Sequence, residues 1–321
     1  MGLYDILADL RTYPGLTRKA RIADWALRFR AGNEGEARSF YGPGDDAGAV
    51  EVDGGYLLLS AEAIRSDLLA DPYFAGFCAV TVNVNDIFAM GGRPLGLVQV
   101  VLSGGFTDSC REEFLAGLQA GLSHYRVPLL GGHTSPEGSS PAVAIAIAGF
   151  ARRLMRGDGA RPGDRLVAAL DLAGRAHEVF HAWDTVTGAE GDRTVSRLEA
   201  LAELGERGLC SACRDISNPG LLGTLAMMLE ASGAGARVNL DRLPVPVGVD
   251  LCWWLKTYPS FGFLLAVPEE NFEAAAGVLK GAGVEGEEIG VVTGGSAVEV
   301  ELDGESGLFL DLGETGVTGL F

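Results

Sequence analysis

Lysine is scarce in this chain. It occurs only at Lys19, Lys256 and Lys280, so nearly all of the 25 basic residues are arginines. Set against 43 acidic residues they leave a formal charge of −18, which on electrostatic grounds excludes nucleic acid or an anionic membrane surface as partner. No apolar run reaches the roughly 18 residues that cross a bilayer. Val80 to Met90 is broken by Asn83, Asn85 and Asp86, and Pro141 to Phe150 is too short. The N-terminus has acidic residues within its apolar stretch and no cleavage signature, so a secretory leader is not expected and the cytoplasm is the default location. Cysteines are few and scattered, at 78, 110, 210, 213 and 252, as reduced thiols are rather than a disulfide framework. Cys210-Ser-Ala-Cys213 has no second pair or nearby His, and is expected to be two thiols on a helix face rather than half a zinc site.

Several chemistries are missing outright. None of the lysines lies in a Gly-x-x-x-x-Gly-Lys-Ser/Thr loop, and no Gly-x-Gly-x-x-Gly follows a strand, so P-loop and dinucleotide sites are excluded. Gly-x-Ser-x-Gly and His-Glu-x-x-His are absent too. What remains is a chain of 321 residues, 47% hydrophobic, long enough for two domains with real cores.

The pattern along the chain is mixed α/β. Residues 3 to 30 read as helical, with Ile22, Trp25, Ala26 and Phe29 at helical spacing, and Ala31 to Arg38 as a polar break. A hairpin is expected from Ala47 to Leu59, turning at Asp53-Gly54-Gly55, then a helix over Phe74 to Ala89. Leu95 to Leu102 reads as a strand, Asp108 to His124 as a helix, and Val127 to Leu130 and Ala142 to Phe150 as strands. Gly157, Gly159, Pro162 and Gly163 mark a boundary near residue 155. A second series follows: strand 164–170, helices 196–207 and 221–232, strand 261–267, helix 271–281 and strand 289–292.

Four segments set acidic or amide side chains beside glycines. In Gly42-Pro-Gly44-Asp45-Asp46-Ala-Gly48, glycines let backbone approach a phosphate and paired carboxylates suit a hard cation, although an acidic turn before a strand reads the same way. Asn83, Asn85 and Asp86 interrupt an apolar helix, where buried polar groups need partners; a hydrogen-bond network, a metal or a phosphate would each supply them. Gly131-Gly132-His133-Thr134 is expected as a tight turn after a strand, with His133 either a ligand or a loop anchor. Asp215 precedes Ser217-Asn218-Pro219, where Ser217 or Asn218 is expected to cap the next helix, leaving Asp215 for chemistry.

In this order and spacing the segments resemble the aminoimidazole ribonucleotide synthetase superfamily, which includes thiamine-monophosphate kinase, selenophosphate synthetase and a hydrogenase-maturation dehydratase. The resemblance runs from about residue 40 to about residue 300. Ser60-Ala-Glu62, Asp71-Pro-Tyr, Asp86-Ile-Phe-Ala-Met-Gly-Gly-Arg-Pro and Gly131-Gly-His-Thr look most like selenophosphate synthetase. Asp215-Ile-Ser-Asn-Pro-Gly-Leu-Leu-Gly and Thr257-Tyr-Pro-Ser-Phe-Gly-Phe look closer to a branch that includes methanogenesis-marker-like members.

The resemblance implies an α/β and α+β two-domain fold: residues 1–155 forming an ATP- and Mg2+-binding domain that dimerises through its strands, residues 156–321 an α+β domain completing the cleft. It implies metal ligation by Asp45, Asp46, Glu62, Asp86 and Asp215, with Asp86 and Asp215 catalytic. It also implies nucleotide contacts from Gly44, Asn83, Asn85, Gly131, Gly132, His133 and Thr134. Glu62 stands where the family carries Asp, and His133 where kinase members carry Asp and selenophosphate synthetases His.

Departures from the pattern matter as much. No cysteine precedes Cys78 and Lys19 lies in no Gly-rich motif, which argues against selenium activation. Asp215-Ile-Ser217-Asn218-Pro219 replaces the Asp-x-Ser-Asp-Gly of thiamine-monophosphate kinases, and the chain ends in Thr318-Gly-Leu-Phe321 rather than the terminal Cys of the maturation enzymes. The expected function is ATP- and Mg2+-dependent phosphoryl transfer to an oxygen of a small-molecule acceptor, with Trp253, Trp254 and Tyr258 as candidates to line its pocket. The alternatives are a nucleotide-binding partner protein with reduced turnover, a thiamine-monophosphate kinase or selenophosphate synthetase proper, and a metabolite-binding protein without nucleotide.

Overall fold

The computed structural model describes residues 1–30 and 40–321; the polar break expected at Ala31 to Arg38 lies outside the described residues. The expected N-terminal helix is broken into α1 (Leu3–Thr12), α2 (Pro14–Thr17), a 3-10 turn over Arg18–Arg21 and α3 (Ile22–Arg30). Pro14, which lacks the N–H that would continue α1, begins α2 instead.

The first sheet is built from β1 (Phe40–Tyr41), β2 (Gly48–Val52), β3 (Gly55–Ile64), β4 (Arg93–Leu102), β5 (Leu129–Ser135) and β6 (Ala142–Ala151). Their order is β1-β2-β3-β6-β4-β5, antiparallel except for the β4–β5 pair. Helices α4 (Pro72–Ala89) and α5 (Asp108–Tyr125) cover one face. Asp71 and Thr107 cap them by accepting from Phe74 N and Cys110 N. The two helices cross at contact distance because Gly76 and Gly117 face each other's partners: a Cβ on Gly76 would lie 2.1 Å from Phe114 O, and one on Gly117 1.9 Å from Tyr73 O.

The second half contains β7 (Arg165–Leu170), β8 (Arg175–Ala176), β9 (Ala182–Asp184), α6 (Gly191–Arg207), β10 (Ala212–Asp215), α7 (Gly220–Ser232) and β11 (Gly235–Asn239). It continues through α8 (Leu251–Lys256), β12 (Tyr258–Pro259), β13 (Gly262–Val267), α9 (Phe272–Gly281), β14 (Glu285–Thr293), β15 (Ala297–Leu302) and β16 (Glu305–Asp311). A seven-stranded sheet runs β10-β13-β7-β14-β11-β15-β16, and β12-β9-β8 form a small third sheet. Strand β13 is apolar at every position because both of its faces are buried. Phe263, Leu265 and Val267 meet α4, α6 and α9, while Leu264 and Ala266 meet α7 and α1.

Helix α4 is therefore enclosed between the first sheet and the second half, and fifteen of its residues are buried. That explains why it is apolar all round apart from Thr81, Asn83, Asn85 and Asp86. Helix α1 crosses over: Leu3, Ile6, Leu7 and Leu10 join the second half's core and Arg11 Nε donates to Phe309 O at 2.8 Å. A division of the chain at residue 155 thus leaves α1 packed on the far side of it.

Three local expectations are corrected. Residues 131–134 are not a turn but the middle of β5, an edge strand hydrogen-bonded to β4. Cys210 and Cys213 do not sit on a helix: Cys213 is in β10 and Cys210 in the loop before it, both buried and free. Neither Ser217 nor Asn218 caps α7, whose N-cap position is Pro219; the Ser217 N–H donates to Thr224 Oγ1 at 3.3 Å instead.

Candidate active site between the two halves

Four segments converge where the end of α4 meets the end of β10. Because strand side chains alternate, Leu58, Ser60 and Glu62 of β3 share the face that carries α4. Ser60 Oγ donates to Asp86 Oδ2 at 2.6 Å and fixes that carboxylate. Asp215 closes β10, paired with Phe263 of β13. The Gly-rich loop before β2 brings Asp46 against it, and the Asp215 N–H donates to Asp46 Oδ2 at 3.1 Å.

Asp45 and Asp46 have separate tasks. Asp45 Oδ2 accepts from Tyr41 Oη at 2.8 Å and Gly157 N at 2.6 Å, and Oδ1 accepts from Asp46 N at 2.9 Å with Arg214 Nη2 at 3.6 Å. Three hydrogen bonds and the Arg214 ion pair engage Asp45, whose side chain has no exposed surface, so it holds the loop in place. Residue 157 must be glycine for this: a Cβ there would lie 2.4 Å from Asp45 Oδ1 and 2.7 Å from Arg214 Nε. Arg214 Nη1 donates to Asp46 Oδ1 at 3.2 Å and Nη2 to the Gly44 carbonyl at 2.5 Å, so Gly44 enters the site through its backbone.

The electrostatics single out the rest. Burial, then the neighbouring Asp215, Asp46 and Glu62, raise the Asp86 carboxyl well above the usual range. Burial, Asp46 and Glu62 do the same to Asp215. Asp46 is pushed up to about 7 by burial, which outweighs the Arg214 guanidinium beside it. Glu62 is raised by burial and partly relieved by Lys19. Lys19, from the 3-10 turn after α2, is lowered by burial while Asp215, Glu62 and Asp46 oppose the shift. A buried group of carboxylates that raise one another's proton affinity is one whose charge is under-compensated by protein cations.

Oxygen donors alone suit Mg2+, and the uncompensated charge of Asp46, Glu62, Asp86 and Asp215 fits a divalent cation. Among the described residues, however, no three carboxylate, imidazole or thiol groups are already gathered as a coordination sphere.

The remaining expected residues are dispersed. Asn83 is fully buried, its Nδ2 donating back to Ala79 O at 2.9 Å; Asn85 Nδ2 donates to Ser260 O at 3.0 Å and ties α4 to the second half. The Oδ1 of each has no protein partner. In β5, Gly131 pairs with Val98 and His133 with Val100, whose side chains leave the sheet on the face opposite α4. At ~4.8 Å between neighbouring strands, β5 also stands about 14 Å across the sheet from β3. Within one chain, Gly131, Gly132, His133 and Thr134 therefore do not join the carboxylates.

A cavity of about 490 Å3 adjoins Glu62. Phe74, Cys78 and Val82 line it at four-residue intervals along α4, and Asp86 is the next position in that row. Tyr258 also lines it, whereas Trp254 is core and Trp253 stacks on His181 at 4.6 Å. Lys19 and Arg214 are site residues the sequence patterns miss. The scarcity of lysine is the one available signal, since Lys19 and Lys256 both reach this region.

Comparison with known proteins agrees with this architecture. A protein of Synechocystis is 35% identical over 99% of this chain and 98% of its own length. A selenide, water dikinase of Geobacter metallireducens is 30% identical over 64% of this chain and 62% of its own. Among solved structures, PurL of T. maritima complexed with ATP superposes with a TM-score of 0.71 at 19% identity, covering 81% of this chain but only 44% of that one. AaThiL complexed with AMPPCP and TMP superposes with a TM-score of 0.66 at 20% identity over 88% of this chain and 95% of that one. Residues 44–151 match the AIR synthase related protein N-terminal domain and residues 161–303 its C-terminal domain. With both domains matched in order, the chain belongs to the AIR synthase related protein family.

Proposed function

We propose that this protein is an ATP- and Mg2+-dependent enzyme that transfers the γ-phosphoryl group to an oxygen of a small-molecule acceptor. The observation that carries this reading is the buried set of Asp46, Asp86 and Asp215, with Glu62 beside it on β3 and a cavity of small-molecule size adjoining. The relatives named as a dikinase or solved with ATP or AMPPCP support a nucleotide as phosphoryl donor.

Mg2+ would be held by Asp46, Glu62, Asp86 and Asp215, and would supply neutralisation of charge on the phosphate oxygens. Ser60 orients Asp86, Arg214 orients Asp46, and Asp45 holds the Gly44 loop. Lys19 brings the mobile positive charge of an ammonium to the same place. In the transfer itself, the acceptor oxygen bonds to the γ-phosphorus as the bond to the β,γ-bridging oxygen breaks; ADP leaves with the electron pair and the acceptor proton is released to solvent.

The chain acts as a homodimer in this reading. The outer face of the first sheet presents Leu59, Val98 and Val100 at 52%, 44% and 47% exposure, and a second copy is the partner with a matching apolar surface. Residues 131–134 would then contact nucleotide across the interface rather than in their own chain. Free thiols at all five cysteines suit the cytoplasm, and no helix among the described residues is long and apolar enough to cross a membrane. Residues 1–155 and 156–321 serve as the working division, with α1 contributed to the second half.

Isothermal titration with ATP and Mg2+ tests the site: wild type binds, and Asp86→Ala loses binding. Undiminished affinity in Asp86→Ala removes the assignment. A second reading, nucleotide binding without turnover, is favoured by Glu62 and Asn218, which stand where related enzymes carry Asp. Metal-dependent ADP release with any small alcohol or carboxylate acceptor would eliminate it.

A further inference from the structure

We propose that the cavity beside Glu62 is the acceptor site, and that it takes a flat aromatic or heteroaromatic molecule bearing an anionic group, its reacting oxygen hydrogen-bonded by Tyr258 Oη. This rests on the phosphoryl-transfer reading above and narrows it to a substrate class.

Three observations independent of the carboxylates support it. The first is an unpartnered donor: Tyr258 lines the cavity, and its buried hydroxyl has no hydrogen-bond partner. Its position is fixed by pairing of β12 with β9 and by the Tyr258 N–H donating to His181 O at 3.1 Å. Glu62 lines the same cavity, and Asp86 continues the α4 row of Phe74, Cys78 and Val82 that walls it, so the cavity opens beside the carboxylates. A buried hydroxyl without a partner costs stability, and a ligand oxygen is what this one lacks.

Second, the walls are aromatic. Phe74 and Phe180 stack at 5.9 Å with rings 13° apart, and His177 packs on both, at 4.1 and 4.8 Å. Tyr13 lines the cavity as well. Such surfaces favour a planar guest over a flexible aliphatic one, because stacking adds to area burial and a rigid ring gives up little conformational entropy. The volume falls in the range that encloses metabolite-sized ligands.

Third, the cavity lining includes an arginine that is not paired with a carboxylate, in a protein of net charge −18. Arg65 is paired with Asp67 and Lys256 with Asp9, but Arg18 has no carboxylate partner among the described residues. An unspent guanidinium at the mouth of an apolar slot recognises a carboxylate or phosphate through paired N–H donors.

The test uses four probes on the full chain without nucleotide: para-(hydroxymethyl)benzoate, benzyl alcohol, γ-hydroxybutyrate and para-(aminomethyl)benzyl alcohol. Binding is followed by calorimetry and by fluorescence of Trp253, which stacks on the cavity residue His181. The benzoate is expected to bind about tenfold tighter than each of the others, which lack its charge, lack its ring or reverse its charge. Arg18→Ala is expected to remove that advantage while leaving benzyl alcohol unchanged, and Tyr258→Phe to weaken all three hydroxymethyl arenes. Equal binding of all four probes, or benzoate binding indifferent to both variants, overturns the proposal. Mg-ATP titrated separately distinguishes the two failures. Mg-ATP binding without benzoate binding sinks the acceptor class alone; benzoate binding without Mg-ATP binding sinks the phosphoryl-transfer reading alone.

Discussion

Arg214 of β10 places Nη1 3.2 Å from Asp46 Oδ1 and so joins the Gly-rich loop of the first half to the strand that ends in Asp215. Both side chains are almost fully buried, at 3% and 9% exposure. The pair aligns two carboxylates that would otherwise separate. Arg214→Ala leaves Asp45 and Asp46 buried without their guanidinium, and Asp46, already raised to about 7, must take up a proton; the loss is about 3–5 kcal/mol. Urea unfolding measures it, and adding Asp46→Asn to Arg214→Ala should recover a large part.

Asp86→Asn is expected to act in the opposite direction on the free protein. Removing one charge from a set raised by mutual repulsion and burial stabilises the fold by about 1–2 kcal/mol, as substitutions in strained functional sites do. The same variant loses Mg-ATP binding. Denaturant midpoints with and without Mg2+ and ATP show both effects, and a destabilised free protein would contradict the charge argument.

Lys19 is a second cation beside the carboxylates, after Arg214. In Lys19→Met the carboxylates lose that partner while the burial cost of the ammonium goes with it, so the free protein should change little in stability and gain more from added Mg2+ than wild type does. Turnover should fall at least tenfold if the ammonium meets phosphate. Melting temperatures over a Mg2+ series, together with ADP release, check both parts.

His124 supplies a pH dependence away from the site. It is buried between α5 and α6, with Nε2 2.9 Å from Thr194 Oγ1, and burial holds its imidazole below the ordinary value against the opposing charge of Asp184. The unfolded chain therefore takes up the proton first, and stability is lost as pH falls through about 6.5 toward the lower folded pKa. Urea midpoints at about pH 7.5 and about pH 5.5 should drop more in wild type than in His124→Gln. Equal slopes would show that His124 is not responsible.

The outer face of the first sheet carries the oligomer prediction. Val100→Glu puts a charge in the middle of an apolar surface and should convert a dimer to monomers, read by light scattering after gel filtration. Since Val100 points away from α4, Mg2+ binding should be retained.

Legibility differed by segment. The apolar run from Phe74 to Ala89 gave away α4, because a helix enclosed on all sides has no polar face, and Asn83, Asn85 and Asp86 stood out against it. The hairpin of β2 and β3 was legible from its Asp-Gly-Gly turn. Strands β15 and β16 were not expected, although the alternation of Ala297–Leu302 and the positive φ angles of Asp303 and Gly304 belong to a tight hairpin. The short β10 was hidden because Cys213, Arg214 and Asp215 look like a loop until their ladder to β13 is seen. Residues 131–134 looked like a turn because glycines break most strands, but pairing with β4 makes them one.

By itself the sequence determined that the fold would be of the AIR synthase related kind, since residue type and order carry it. Only the tertiary structure decided how the acidic residues divide their work. Asp45 and Asp46 are neighbours in sequence, yet one is consumed by Tyr41, Gly157 and Arg214 while the other faces Asp86 and Asp215. Lys19, Arg214 and Tyr258 come to the same place from segments far apart in the chain. Charge coupling depends on distance and burial, and neither is written in spacing along a chain.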